Sequence, residues 1–391
     1  MRSFLPKLFS RRQVLRSLGG VASVAGAAAL GLGQGSKPAP QGEVGGHSGH
    51  YMGAADPKQM GHGNNLTVGA VDHQANGFDP LRLLVDWDYG KVSTLPSGQT
   101  LREYEFVAQE KEIEIAPGVF FPAWTYNGRV PGPTIRCTEG DRIRVRFTNS
   151  SSHPHTIHFH GIHPAEMDGT PLPGNGGLVQ PGQSFTYEFT AEPFGCHLYH
   201  CHSLSLKRHI HKGMYGAFVV DPKGGRPPAR EFVMVMNAFD TNFDGGNEVY
   251  AVNSVAFEYA RRAIPLKLGE LVRIYLINVL EFDPINTFHL HANMFDYYDH
   301  GTTLEPTLRR VDTISQVQGQ RGIVEFRYKF PGMYMFHPHV SEFTELGWMG
   351  HFNVVRPEDF AQALQSVGLD AAWDQKSLQG STVPWKGGEQ A

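Results

Sequence analysis

Short runs of alternating apolar and polar residues begin near residue 100 of this 391-residue chain and continue as far as Val355. In "EKEIEI", "RIRVRF" and "FTYEFT" the apolar side chains recur at every second position, which is the period of a half-buried β-strand. Glycine, proline, asparagine and aspartate separate these runs at short intervals. The spacing predicts an all-β protein built as a β-sandwich.

The same order of signals occurs twice along the chain. "GDRIRVRFTN" followed by "HFHG" in the first half matches "GELVRIYLIN" followed by "FHLHA" in the second, and "HLYHCH" matches "MYMFHPH". Such a repeat, at an offset of about 130 residues, indicates two domains of one fold. We predict domain 1 at 100–222 and domain 2 at 231–357, joined by a Pro/Gly-rich linker at 223–230.

The segments outside the two domains have a different composition. Arg11 and Arg12 precede a weakly apolar stretch that is too short and too rich in glycine and alanine for a membrane anchor, so residues 1–34 are predicted to be a twin-arginine export signal. The protein is therefore expected in the periplasm or outside the cell, with no membrane anchor once the signal is removed.

Residues 35–99 are predicted to form a leader and an N-terminal extension. The leader is rich in Gly, His and Met and has no apolar period, which predicts disorder to about residue 78. Its His47, His50, Met52, Met60 and His62 either capture copper loosely or belong to a solvated tether. The tail at 358–391 is expected to hold one short helix, in "PEDFAQALQSVG", and then to be disordered.

Composition narrows the class of function. A hydrophobic content of 40% and a charged content of 18% suit a soluble globular protein. A net charge of −4 without a long basic run argues against nucleic acid as a partner. Twenty histidines are far more than packing explains, and this excess points to metal binding.

Eight of these histidines form His-x-His pairs at matching places in the two repeats. The pairs are His158/His160, His200/His202, His289/His291 and His337/His339. On a strand, residues two apart face the same side, so each pair presents two imidazoles together. Neutral imidazole is a ligand for copper, zinc and iron.

Cys201 stands between two of these histidines, so on a strand its side chain faces the opposite way. His155 likewise faces away from the pair that follows it. The two side chains can meet inside domain 1, where a second imidazole and a weak thioether would complete a blue-copper site. The loop "HIHKGM" supplies them as His209 and Met214, with His211 as a rival to His209.

These motifs resemble those of two-domain, laccase-like multicopper oxidases. "HTIHFH" and "HCHSLSLKRHIHKGM" match the family patterns H-x-x-H-x-H and H-C-H ahead of a His and a Met five residues apart, which favours His209. The second repeat departs from them, with Asn286 at the blue-site histidine and Pro338 at the cysteine. Met349 stands where an axial methionine would be and is expected to be a core residue. The resemblance implies blue copper in domain 1 only.

The resemblance also implies two cupredoxin-like Greek-key β-sandwich domains that assemble as a ring-shaped homotrimer. Four coppers per subunit are implied: one blue (type 1), one type 2 and a type 3 pair. The implied ligands of the type 2 copper are His158 and His289. The type 3 ligands are His160, His200, His202, His291, His337 and His339. A small donor, phenolic or metal ion, would lose electrons at the outward edge of His209, and O2 would receive them.

Other residues near the motifs have alternative interpretations. Asp168 falls where the family often has an acid that relays protons, although an Asp-Gly turn explains it equally well. Glu342 and Glu345 follow the last histidine pair and are further proton-relay candidates. Cys137 and Cys196 could form a disulfide in an exported protein.

Two other functions remain open. A copper nitrite reductase shares the two-domain organisation and the blue site, but it needs a single type 2 copper and has no use for His202. A non-enzymatic copper store or electron carrier would need no trinuclear ligands. Phenols, aromatic amines, Cu(I), Fe(II) and Mn(II) all remain possible donors.

Overall fold

β-Strands dominate the described part of the chain, in agreement with the all-β prediction. The computed structural model describes residues 68–172, 174, 176–381 and 383–386. The predicted export signal and the leader histidines and methionines lie outside these residues. The described residues belong to one compact unit, Gly53–Ala391. Among them, no helix has both the length and the apolar character that crossing a membrane requires.

The first domain is a sandwich of two sheets. Its strands are β1 (Trp87–Asp88), β2 (Lys91–Thr94), β3 (Thr100–Ala116), β4 (Val119–Tyr126), β5 (Thr134–Thr138), β6 (Arg142–Asn149), β7 (His158–Phe159), β8 (Ser184–Thr190), β9 (Gly195–His200) and β10 (Tyr215–Asp221). Helices α1 (His73–Asn76) and α2 (Pro80–Leu83) precede β1, and α3 (Leu206–His211) connects β9 to β10. One sheet has the order β1-β5-β10-β9-β7, and the other has the order β2-β3-β6-β8 with β4 paired to β3.

The second domain repeats this architecture. Its strands are β11 (Arg230–Phe239), β12 (Val249–Val252), β13 (Ile264–Lys267), β14 (Val272–Asn278), β15 (Ile285–Leu290), β16 (Phe295–Asp299), β17 (Leu308–Val311), β18 (Thr313–Val317), β19 (Arg321–Phe326), β20 (Gly332–His337) and β21 (Gly350–Val355). Its helices are α4 (Glu258–Arg261) and α5 (Ser341–Glu345), and α6 (Phe360–Ser366) and α7 (Ala371–Leu378) follow it. The sheet orders are β12-β11-β14-β19-β16-β17 and β13-β21-β20-β15-β18.

Each sandwich encloses an apolar core, and a third core joins the two sandwiches. In this interdomain core, Leu198 of β9 packs with Val235 of β11 and Ile277 of β14. The sheet that contains β9 is therefore covered on both faces. This explains why "GCHLYH" is buried throughout instead of alternating between buried and exposed positions.

The two cysteines considered for a disulfide lie on opposite faces of that sheet. Cys137 on β5 faces the core of the first domain, and Cys196 on β9 faces the interdomain core. Strand β10 lies between their strands. Both thiols are free, so the structure does not contain the disulfide.

A buried ion network connects the domains beside the linker. Arg136 donates two hydrogen bonds to Asp221, of 2.9 and 2.8 Å, and lies 2.9 Å from a carboxylate oxygen of Glu231. Arg273 of the second domain donates to the same Glu231 at 2.8 Å. Removing one partner from such a network leaves a buried charge unpaired, so the network fixes the orientation of the two domains.

The N-terminal end of the first domain, with the helices before it, packs against the segment that follows the second domain. Trp373 of α7 donates its indole N–H to the carbonyl of Leu81 at 2.7 Å, and Trp87 donates to the carbonyl of Lys376 at 3.2 Å. The predicted short helix near 357–368 is present as α6. The prediction of disorder after it was wrong, because the buried Trp373 anchors α7.

The N-terminal prediction of disorder to about residue 78 was also wrong for its last part. Helix α1 lies in this range, and Phe78 is buried beside it. His73 of α1 contacts Glu258, which is 1% exposed and begins α4. Glu258 also pairs with Arg261 at 2.9 Å and Arg262 at 3.0 Å. An ion cluster therefore holds this segment, and the periodicity of the sequence does not reveal it.

Candidate metal centres

Two imidazoles and a thiol converge inside the first domain. His155 precedes β7, Cys201 directly follows β9, and His209 lies on α3. Cys201 Sγ lies 3.2 Å from His209 Nδ1 and 3.7 Å from His155 Nδ1, and the two Nδ1 atoms are 3.1 Å apart. All three side chains are buried. The structure thus places His209 beside the thiol, and not the rival His211.

The three donor atoms fit one metal ion. Ligands bound about 2 Å from one ion lie roughly 3 to 4 Å from each other. A thiolate with two imidazoles is the ligand set of blue copper. Met214 is buried in the same core, and its backbone carbonyl accepts the N–H of Cys201 at 2.9 Å. The chemistry of this group therefore suits copper.

Burial keeps the two imidazoles neutral, as metal binding requires. It lowers the pKa of His155 to about 3 and the pKa of His209 to about 4. Burial also raises the pKa of the Cys201 thiol, while the N–H groups of Thr156 and Ser203 oppose that rise. The Thr156 nitrogen lies 3.4 Å from Sγ. N–H groups directed at the sulfur stabilise the thiolate, which is the metal-binding form.

The first imidazole of each domain 1 pair is fixed by a backbone carbonyl. Strands β7 and β9 pair so that His158 stands directly opposite His200. His158 Nδ1 lies 2.7 Å from the carbonyl oxygen of Asp168, and His200 Nδ1 lies 3.0 Å from that of Cys201. A carbonyl oxygen only accepts, so Nδ1 carries the proton and each Nε2 keeps a lone pair for a metal.

The other two imidazoles of domain 1 complete a set of four. His160 Nε2 lies 3.1 Å from His200 Nε2, and the ring of His202 stacks on that of His200 at 5.9 Å between centroids. Burial lowers the pKa of His160 to about 2 and that of His200 to about 3. Neutral ring nitrogens that face each other at this distance fit a metal ion between them.

The second domain builds a matching set on β15 and β20. His289 stands directly opposite His337. His289 Nδ1 lies 2.8 Å from the carbonyl oxygen of Asp312, and His337 Nδ1 lies 2.6 Å from that of Pro338. His291 Nε2 lies 2.9 Å from His337 Nε2. The repeat therefore preserves both the imidazoles and the carbonyls that orient them.

A threonine hydroxyl holds the last histidine of each set. Thr156 Oγ1 accepts the backbone N–H of His202 at 2.9 Å, and Thr287 Oγ1 accepts that of His339 at 2.6 Å. Neither threonine is among the residues predicted for the site. The threonine shared by "HTIHFH" and "NTFHLH" is the sequence signal that identifies them.

The two sets lie in different surroundings. The set in domain 1 lines a cavity of about 310 Å³, and domain 2 contributes Val279, Glu281 and Gln318 to its wall. In domain 2, His291 and His339 are exposed. Within the described residues the sets form separate groups, and no ring contact joins one to the other. One chain therefore presents two sets of four imidazoles.

The predicted proton-relay residues differ in position. An Asp168 carboxylate oxygen lies 3.2 Å from His158 Nδ1, beside the imidazole set. Glu342 and Glu345 lie on the exposed side of α5, and in the described part of the chain neither carboxylate bonds to a histidine. Thr344, between them, does reach the set, because its Oγ1 lies 3.3 Å from His337 Nδ1.

Three further positions have packing roles. Asn286 is buried where the second blue site would be, and it donates to the sulfur of Met236 at 3.4 Å. Met349 packs against the interdomain core, as expected. His211 accepts the backbone N–H of Asp240 at 3.0 Å through Nε2, on the side of α3 away from Cys201.

Comparisons with known proteins agree with this geometry. Two family models described as multicopper oxidase match residues 107–225 and 226–358. A solved structure described as a multicopper oxidase is 57% identical, with a TM-score of 0.72 over 73% of this chain and 100% of that chain. The copper-containing nitrite reductase of Neisseria gonorrhoeae is 31% identical over 66% of this chain and 70% of its own length.

A third relative is longer than this chain. The probable nitrite reductase-hydroxylamine oxidoreductase fusion protein of Kuenenia stuttgartiensis is 34% identical over 52% of this chain. The chain spans 26% of the length of that fusion protein. The similarity is thus confined to one part of the relative.

Proposed function

This chain belongs to the multicopper oxidase family and is a copper-dependent oxidoreductase, and on that premise we propose that it couples one-electron oxidation of a small donor to four-electron reduction of O2 to water. The donor is a phenol, an aromatic amine or a metal ion such as Cu(I), Fe(II) or Mn(II). Four coppers serve each subunit: one blue, one type 2 and a type 3 pair.

One observation carries the proposal: each domain holds four imidazoles in the same arrangement. His202 and His339, the last members of the two sets, are each held by a threonine hydroxyl. Eight imidazoles exceed what a single type 2 copper can bind, and they suit three coppers. Reduction of O2 by four electrons without release of partly reduced oxygen requires several metal ions at one place.

The ligands are proposed by position in the repeat. Type 1 copper belongs to His155, Cys201, His209 and Met214. Type 2 copper belongs to His158 and His289, and the type 3 pair belongs to His160, His200, His202, His291, His337 and His339. Bound copper supplies one-electron acceptors for the donor and a place where O2 is reduced.

The chain's own residues link and serve these positions. Cys201 is joined by peptide bonds to His200 and His202, so the thiol and two imidazoles share a short covalent route. Asp168 lies 3.2 Å from the His158 ring and is positioned to deliver protons from water to reduced oxygen. The Asp168 carbonyl fixes the tautomer of the same ring.

Assembly and location complete the proposal. The two imidazole sets of one chain are separate, so we infer that domain 1 of one subunit meets domain 2 of the next in a closed homotrimer. The Arg11–Arg12 pair supports export by the twin-arginine route to the periplasm or the cell exterior.

Nitrite reduction is the second candidate, because copper-containing nitrite reductases are among the relatives that match both domains. Oxygen uptake by the copper-loaded protein should be measured with phenolic and metal-ion donors, and nitrite reduction with the same donors. Oxygen turnover without nitrite turnover supports the oxidase. Nitrite turnover alone favours the reductase, and the absence of both favours a copper store or carrier.

A further inference from the structure

Helix α3 divides its side chains among three sites. His209 faces Cys201, and Ile210 lines the cavity of the domain 1 imidazoles. Arg208, with Lys212 just after the helix, lines a different pocket of about 420 Å³ on the other side, and both residues also line an adjoining pocket of about 640 Å³. Residues three and four apart share a helix face, so this division follows from the helical period.

Trp124 of β4 lies in the wall of that pocket and contacts the predicted copper ligands. Its ring centroid is 4.8 Å from that of His209 and 5.3 Å from that of His155. Its backbone N–H donates to the Lys212 carbonyl at 2.8 Å, which ties β4 to the ligand loop. The exposed fraction of Trp124 is 5%.

His209 itself is only 3% exposed, so a donor can reach at most a small part of its outward edge. The imidazole of His209 is covered by Trp124, whose aromatic ring contacts both the pocket and that imidazole. A small donor in the pocket would therefore lie against the indole and be separated from His209 by one ring.

The pocket holds two cations that form no close ion pair with any described residue. Lys212 is 7% exposed, and in the described part of the chain its ammonium forms no ion pair. That ammonium lies 5.0 Å from the Phe121 centroid, 4.7 Å from that of Phe243 and 5.9 Å from that of Trp124. The Arg208 guanidinium lies 5.1 Å from the Trp124 centroid and is also unpaired there. An anion would offset the cost of burying such a charge.

Most other charged groups of the pocket are already engaged. One oxygen of Glu110 accepts from the Ser152 hydroxyl at 2.5 Å and lies 3.1 Å from His153 Nδ1. The Lys111 ammonium donates to the carbonyls of Asn76 and Gly128. Glu112 is exposed, where water screens its charge. Three cations and two carboxylates line the pocket, which therefore keeps a net positive charge beside an aromatic wall.

We propose that this pocket binds an aromatic donor that carries a negative charge, with Arg208 and Lys212 holding the charged group and the Trp124 ring in contact with the donor ring. A pocket of this size falls in the range of small-molecule sites, about 300 to 1,000 Å³. This inference rests on the proposed function and names its substrate class. A phenol with a carboxylate group would lose one electron through the indole towards His209 and its phenolic proton to water, leaving a phenoxyl radical.

Binding is tested apart from turnover with two probes that are not oxidised, 4-methoxybenzoate and neutral 4-methoxybenzyl alcohol. Calorimetry on the copper-loaded protein should show tighter binding of the anion. We expect Lys212→Met and Arg208→Met each to lower the affinity for the anion by about tenfold and to leave the affinity for the alcohol unchanged. Lys207→Met is the matched control, since it removes the same charge from α3 outside this pocket. Equal binding of the two probes, or an equal effect of Lys207→Met, would overturn the proposal.

Electron transfer is tested with Trp124→Leu and saturating 2,5-dihydroxybenzoate without oxygen. The rate at which the blue absorption disappears should fall by about tenfold or more, because the donor loses its contact with His209. The protein should remain blue, and the reduction potential of both proteins should be measured so that a change in driving force is not counted as loss of donor contact. Bleaching at the original rate would place electron access elsewhere, for example beside the exposed Leu204. Because Arg208 is exposed, Arg208→Met provides a variant that keeps the core intact if Trp124→Leu does not fold.

The outcomes separate this inference from the proposed function. An unaltered protein without blue absorption or oxygen uptake contradicts the oxidase itself. An unaltered protein that is blue and consumes oxygen, yet does not distinguish the charged probe from the neutral one, contradicts only the donor pocket.

Discussion

Arg321 Nη1 lies 3.4 Å from His160 Nδ1, so a guanidinium of domain 2 contacts a candidate copper ligand of domain 1 in the same chain. Arg321 is itself held, because it also donates to the carbonyls of Cys196 and Gly319. At the opposite edge of the ring, His160 Nε2 lies 3.1 Å from His200 Nε2. The position of this imidazole thus depends on how the two domains pack.

Arg321→Met should weaken copper binding at the paired histidines while the blue absorption stays. Arg321 limits the position of the His160 ring by contact and does not accept its N–H, so the expected loss of metal affinity is about 10-fold, the lower end of the range for groups around a metal ligand. Copper content and the type 3 absorption should be measured during dialysis against a chelator. Arg309→Met, a surface change, is the control. Equal copper retention by both variants would contradict the role of Arg321.

Cys201→Ser should abolish the intense blue colour and donor oxidation, because the thiolate is the ligand that gives blue copper its spectrum. Visible absorption, copper content and activity are the measurements. Copper at the eight paired histidines should remain, since their rings lie outside the thiol core. A serine variant that is still blue and active would place the thiolate ligand at another cysteine.

His202→Ala and His339→Ala should each suppress oxygen uptake and leave the blue site reducible by donor. The two residues hold equivalent places in the repeat, so their effects should match. Anaerobic bleaching and an oxygen electrode separate the two half-reactions. Full oxygen turnover by either variant would contradict the assignment of that histidine to the oxygen-reducing site.

Co-expression of these two inactive variants tests the shared assembly. In a mixed ring, the intact domain 1 of a His339→Ala subunit can meet the intact domain 2 of a His202→Ala subunit, so oxygen uptake should return. Light scattering should give the mass of a trimer. Absence of recovery in a verified mixed trimer, or a fully active monomer, would contradict assembly of the site between chains.

Asp168→Asn should slow oxygen reduction and leave the bleaching of the blue copper by donor unchanged. The amide keeps the backbone carbonyl that fixes His158 but has no proton to exchange at neutral pH. We expect a loss of about 100-fold or more in oxygen turnover, the usual contribution of a positioned acid or base. Thr170→Ser, two residues away, serves as a conservative control. Unchanged turnover in Asp168→Asn would identify the aspartate as a turn residue.

Glu258→Gln should lower the free energy of unfolding at pH 7 by about 3 kcal/mol, because it removes a buried carboxylate from its partners. Burial alone would raise the pKa of Glu258, but His73 and Arg261 lower it below the ordinary value. The ion cluster therefore stabilises the fold above about pH 4.5 and loses this effect as the pH falls. Denaturant unfolding of both proteins at pH 7 and pH 4 should show a smaller difference at pH 4. A constant difference would assign the loss to packing.

The sandwich fold and the converging histidines could be predicted because both depend on local period. The two-residue spacing of His200 and His202 sets their common face whatever lies around them, and the intervening Cys201 must then face inwards. The repeat made the second set recognisable even though Asn286 and Pro338 replace the blue-site ligands.

Other features depended on contacts between distant segments. The burial of His209 follows from Trp124, which is 85 residues away in the sequence. Arg321 reaches His160 from the other domain. Helix α7 has no amphipathic period and is held by Trp373, so local pattern could not predict it.

The indole contacts of Trp87 and Trp373 set an order of events during synthesis. Their carbonyl partners, Lys376 and Leu81, lie close to 290 positions away along the chain, so neither hydrogen bond can form while residues beyond 370 are still inside the ribosome. Each copy of the protein must therefore be translated past Lys376 before the contacts at Leu81 and Trp87 can close.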